Sequence, residues 1–93
     1  MKTAKKLRIN GTVQSLAFKT FIKQNADLYN IKGFIRKIDI STTEVFAEGE
    51  RERVEAFAEI CKKGPPHATI RSVEETNEKL QDFKEFKIFS FWI

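Results

Sequence analysis

The spacing of the apolar residues changes period several times along this chain, and the order of the changes admits few folds. Leu7, Ile9, Gly11 and Val13 alternate with Lys6, Arg8, Asn10 and Thr12, which predicts a half-buried strand. From Phe18 the spacing turns helical: Phe18, Phe21, Ile22, Ala26 and Tyr29 share one face, interrupted only by Asn25. Residues 31–38 (IKGFIRKI) return to strand spacing, residues 39–42 read as a turn, and residues 43–48 (TEVFAE) alternate again, so a hairpin is expected, closed by Gly49. Val54, Phe57, Ala58 and Cys61 mark a second helix. Gly64-Pro65-Pro66 stops it, because proline lacks the amide donor and clashes with the preceding turn. Residues 68–73 offer another strand, the charged stretch 74–85 has no clear period and reads as a connection, and residues 86–93 (FKIFSFWI) read as a last apolar strand.

The resulting order is strand, helix, strand, strand, helix, strand, with a short fifth strand as an option. Two helices that each join strands of one sheet pack on the same face when their crossovers are right-handed. The expectation is therefore an α+β, ferredoxin-like split βαβ sandwich (βαββαβ), an antiparallel sheet with two helices on one face. Ninety-three residues suffice for one core, and residues 1–93 are read as a single domain. This arrangement hosts many unrelated activities, so function has to come from a site.

A net charge of +4 from 17 Lys and Arg against 13 Asp and Glu favours anionic partners mildly. The basic residues are scattered, with Lys5-Lys6 and Lys62-Lys63 as pairs, which does not make a nucleic-acid stripe. Cys61 is the single cysteine, so no internal disulfide forms; with only His67 beside it, a tetrahedral metal site of side chains is not expected either. No apolar run approaches the roughly 20 residues of a membrane span, and the N-terminus lacks the apolar core of a signal peptide. A cytoplasmic protein without a cofactor is the expectation.

The stretch VQSLAFK, residues 13–19, lies between the first strand and the first helix. A loop there presents the first, unpaired amides of the helix, and these together with the positive end of the helix dipole form an anion site. Lys19 adds a point charge in the first turn.

Four segments stand in order: Gly11-Thr12-Val13-Gln14-Ser15-Leu16-Ala17-Phe18-Lys19, Gly33-Phe34-Ile35-Arg36-Lys37, Ala47-Glu48-Gly49 and Gly64-Pro65. In this the chain resembles the acylphosphatase family, whose corresponding patterns are G-x-V-Q-G-V-G-F-R, G-W-V-R-N, A-E-G and G-P. The resemblance implies a phosphate-binding loop over Ser15, Leu16, Ala17, Phe18 and Lys19. It places Lys19 where the family's phosphate-gripping arginine stands and Lys37 where its water-orienting asparagine stands. Lysine keeps the charge of arginine but loses the planar fork that holds two phosphate oxygens. Protonated Lys37 has three donors and no acceptor, so it cannot hold water as an asparagine amide does. Ser15 and Ala17 replace glycines, and side chains there are expected to strain or reshape the turn.

The expectation is an acylphosphatase-like domain with little or no acyl phosphate hydrolysis that keeps an anion-binding loop for a small ligand. One alternative is an acylphosphatase that still hydrolyses the carboxyl-phosphate bond, quickly or slowly. A second is an RNA-binding module of the same fold, on the strength of Lys32-Gly33-Phe34, although the first strand has no aromatic residue on which to stack a base. The apolar end with Phe91, Trp92 and Ile93 is read as cover for an open face or as a contact for a protein partner.

Overall fold

Strand β1 (Lys2–Gly11) runs five residues further towards the N-terminus than its alternating apolar residues. The reason is tertiary. β1 is a central strand that pairs with β3 from Lys2 and with β4 from Ala4, so its mostly polar start is held by ladder bonds, with Ala4 the one buried side chain among residues 2–6. A computed structural model of the chain describes residues 1–89, and α1 (Leu16–Leu28), β2 (Lys32–Asp39), β3 (Thr42–Glu50), α2 (Arg51–Lys63), β4 (Ile70–Glu78) and β5 (Phe86–Ile88) follow β1. Phe91, Trp92 and Ile93, expected to cover an open face or to contact a partner, lie outside the described residues.

The sheet order is β4-β1-β3-β2-β5. Its first four strands are antiparallel neighbours, as a ferredoxin-like sandwich requires, whereas β5 pairs in parallel with β2 through Gly33, Phe34 and Ile35. The sheet is thus mixed, and the chain crosses from one edge to the other between β4 and β5. Both helices lie on one face. Phe18, Ile22 and Ala26 of α1, with Val54, Phe57, Ala58 and Cys61 of α2, pack on Leu7, Ile9, Ile35, Val45 and Ala47, all buried. A fully buried side chain of this kind stabilises the fold by about 1.5–3 kcal/mol, so this layer supplies most of the driving force. Burial also pushes the Cys61 thiol up, which leaves it an inert core residue.

The opposite face of the sheet has its own organisation. Glu44, buried on β3, bridges Arg8 of β1 and Arg36 of β2 with contacts of 3.4 and 2.9 Å, which stitches three strands together. Next to it Phe34, Phe46, Phe83 and Phe89 cluster, with Phe34 stacked on Phe46 at 5.7 Å and on Phe89 at 5.2 Å. Glu48, also buried, accepts the amides of Gln81 and Phe83 at 2.7 and 2.5 Å and so pins the crossing segment onto the sheet.

Residues 74–78, expected within a connection, extend β4. The strand is an edge whose partners are charged: Glu74 faces Arg8 across the ladder, and Glu75 pairs with Lys5 and with Lys62 of α2. Apolar alternation is not needed where cross-strand ion pairs and backbone bonds hold the register.

Candidate functional site

At one end of the sheet the loop after β1 is clamped between two other connections. Gly11 has φ +152°, and a Cβ there would fall 2.0 Å from the carbonyl oxygen of Thr69, so only glycine lets the chain pass this close. The Gly11 amide donates to the Ser41 carbonyl at the hairpin tip (2.9 Å), and the Thr12 amide donates to the Thr69 carbonyl (2.9 Å). In return the Thr69 amide donates to Thr12 Oγ1 at 2.7 Å.

The next two residues tie the loop to the sheet. The Thr43 hydroxyl, fully buried, donates to the Val13 carbonyl at 3.2 Å, while Gln14 Nε2 donates to Thr43 Oγ1 at 3.0 Å and to the Thr42 carbonyl at 3.1 Å. Gln14 Oε1 is buried and, among the described residues, has no donor. Thr43 stands opposite Lys37 in the β2–β3 register. Directly opposite residues share a face of the sheet, so Lys37 lies on the helix side, beside the strand position that holds the loop. Lys37 of β2 and the loop that leads into Lys19, far apart in sequence, thus lie at one end of the sheet.

Ser15 begins α1. Its extended backbone (φ −72°, ψ 152°) and hydroxyl make it the N-cap, and Oγ accepts the Phe18 amide at 3.0 Å. The Ser15 carbonyl accepts the Lys19 amide at 3.3 Å. Two of the five loop amides expected to face a ligand, those of Phe18 and Lys19, are therefore engaged by Ser15. Among the described residues the amides of residues 13–17 donate to no protein group, so the run of free donors lies two residues nearer the N-terminus than expected. Ser15, Leu16 and Ala17 are exposed, and the Phe18 side chain belongs to the core.

Of the two outcomes expected for side chains at Ser15 and Ala17, strain or a reshaped turn, backbone strain does not arise. Among the described non-glycine residues only Asn30 and Asp82 have positive φ, so the loop has taken up an ordinary helix start in place of a glycine turn. The first turn of α1 contains no acidic residue, which leaves the positive end of its dipole uncompensated. Lys19 and Lys37 are both half-buried, and among the described residues neither pairs with a carboxylate. Asp39, exposed two residues after Lys37, accepts the Ser41 amide at 2.9 Å, and that bond is the main cause holding its carboxyl below the ordinary range.

Sequence spacing does not single out Thr43 or the side chain of Gln14. Their roles appear only when β3 is laid against the loop. His67 is exposed in the connection before β4. Phe34, the residue on which an RNA-binding surface would depend, has its ring covered by Phe46 and Phe89. Among the described residues there is no cluster of metal-ligating side chains, and no helix is long and apolar enough to cross a membrane.

The sequence matches the family model described as Acylphosphatase over residues 5–88. An acylphosphatase of Bacillus licheniformis is 35% identical over 82 residues, covering 86% of this chain and 90% of that protein. One from Caldivirga maquilingensis is 33% identical over 82 residues, covering 86% of each. The crystal structure of acylphosphatase from Bacillus subtilis superposes with a TM-score of 0.87 at 26% identity, covering 96% of this chain and 99% of that one.

Proposed function

The chain belongs to the acylphosphatase family, and on that premise we propose that it binds the phosphate of acyl phosphates at the loop while hydrolysing them little or not at all. The observation that carries the reading is the pairing of a retained donor run with a changed pair of side chains. The free amides of residues 14–17 and the uncompensated dipole of α1 support anion binding, and Lys19 adds the charge. An acyl phosphate held there presents its phosphorus to water, which must be oriented for attack. Lys19 offers a point charge in place of a fork, and Lys37 offers donors where an acceptor is wanted. Loss of one well-placed transition-state contact costs about 2.7–4 kcal/mol, a factor of roughly 100 to 1,000 in rate. Two losses in one site need not add, so the combined effect is at least that of the larger.

Hydrolysis of benzoyl phosphate by the natural chain and by the double variant Lys19→Arg with Lys37→Asn tests this. The double variant is expected to be faster by about 100-fold or more. If the natural chain already turns over at the rate of the double variant, it is an active acylphosphatase. Titration with inorganic phosphate, read at the amides of residues 14–17, tests the binding half separately.

A further inference from the structure

A depression of about 500 Å³ opens beside the loop, and its walls include Gln14, Ser15, Ile40, Ser41, His67 and Arg71. Three other surface depressions each carry carboxylates: Glu48 and Asp82, Glu50 and Glu52, or Glu74, Glu75 and Glu78. None lines this one. Its charge comes from Arg71, and the imidazole of His67 adds a second polar group.

Arg71 is aimed by the fold. β1 and β4 pair Asn10 with Ser72 and then Gly11 with Ile70, which leaves Arg71 as the extra residue of a β-bulge. A bulge next to a site redirects the side chain it carries. Arg71 Nε donates to Asn10 Oδ1 at 3.2 Å. Asn10 Nδ2 is in turn bonded to Thr42 Oγ1 at 3.2 Å and lies 3.4 Å from Ser41 Oγ. The guanidinium is thus braced through Nε against the hairpin tip, while its two terminal amino groups pair with no carboxylate among the described residues. That leaves the edge of the fork suited to two oxygens of one anion.

We propose that this depression is a subsite for a second anionic group, a carboxylate or a phosphate, at the far end of the acyl chain of the bound acyl phosphate, with Arg71 as the residue that selects it. The proposal rests on the phosphate cradle proposed above. Ser15 belongs to both the loop and the depression, so a ligand anchored by its phosphate at the loop enters the depression with its acyl chain. Ile40, 84% exposed at the hairpin tip, supplies an apolar lip along which methylene groups can lie. The volume accommodates a chain of a few carbons.

Non-hydrolysable probes test it at low salt: inorganic phosphate, acetylphosphonate, and acylphosphonates of the same kind ending in a carboxylate or in a second phosphonate. The dianionic probes are expected to bind about tenfold tighter than acetylphosphonate, the value of one charge-assisted hydrogen bond at a partly exposed site. Arg71→Gln brings them back to the affinity of acetylphosphonate, and Arg71→Lys keeps part of the preference. Preference for one terminal anion over the other supports the subsite and identifies its chemistry. If phosphate and acetylphosphonate bind but the dianionic probes bind no tighter, or if the preference survives Arg71→Gln, the subsite is overturned and the cradle stands. If neither phosphate nor any phosphonate binds, the cradle falls and the subsite with it.

Discussion

Ser15 Oγ accepts the amide of Phe18 at 3.0 Å, so the residue that opens the loop also caps helix α1 and takes up a donor that the proposed anion would otherwise use. Stability and ligand binding therefore compete for one amide. The serine has satisfied the helix from within, where a glycine would have left the donor free.

Ser15→Gly separates the two effects. An N-cap glycine costs only a few tenths of a kcal/mol relative to serine, whereas Ser15→Ala costs about 1 kcal/mol. Urea unfolding should rank the natural chain, the glycine variant and the alanine variant in that order. On addition of phosphate, the Phe18 amide resonance is expected to shift in the glycine variant and to stay in place in the natural chain.

Glu44→Ala removes the carboxylate between two arginines and leaves Arg8 of β1 and Arg36 of β2 flanking the emptied position on β3, both without it as a partner. Breaking a wholly buried pair costs about 3–5 kcal/mol. Here the arginine side chains are 49% and 38% exposed, so solvent screens the remaining charges and about 2 kcal/mol is expected. Denaturant unfolding measures it; a loss below about 0.5 kcal/mol would place the triad among ordinary surface pairs.

Glu48→Ala frees the segment that crosses from β4 to β5. The amides of Gln81 and Phe83 lose their acceptor, at a cost of about 1–3 kcal/mol. Hydrogen exchange should accelerate at these two amides well before it does in β1 or β3. Equal acceleration throughout the sheet would mean that Glu48 supports the whole fold and not the crossing alone.

Glu75 gives a pH dependence whose sign is set. Hydrogen bonds from Lys5 and then Lys62 hold its carboxyl below the ordinary 4.5, against a smaller opposing effect of burial. A depressed folded pKa contributes stability that is fully present above the unfolded value and disappears as the pH falls through the folded one. Thermal melting between neutral pH and pH 3 should show the natural chain losing more stability than Glu75→Gln, and the two curves should converge at the acid end. Parallel curves would exclude the linkage.

Local pattern accounts for the two helices, the hairpin and the loop between β1 and α1, because apolar period is a property of each segment alone. A buried helix face must repeat near 3.6 residues and a strand face every two, whatever else the chain does. The helical spacing begins at Phe18, whereas α1 begins at Leu16 behind the Ser15 N-cap, a role that only the structure gives it. The motifs that Lys19 and Lys37 close name them as candidate site residues, and that assignment rests on the resemblance. Tertiary structure alone decided the rest: the extension of β4 through residues 74–78, the parallel pairing of β5, the Thr43 and Gln14 bridge that sets Lys37 beside the loop, the Glu48 pin and the bulge at Arg71. These are long-range pairings between polar groups. Such groups satisfy one another across the fold without imposing any period on their own segments, so nothing local records them until the strands are in register.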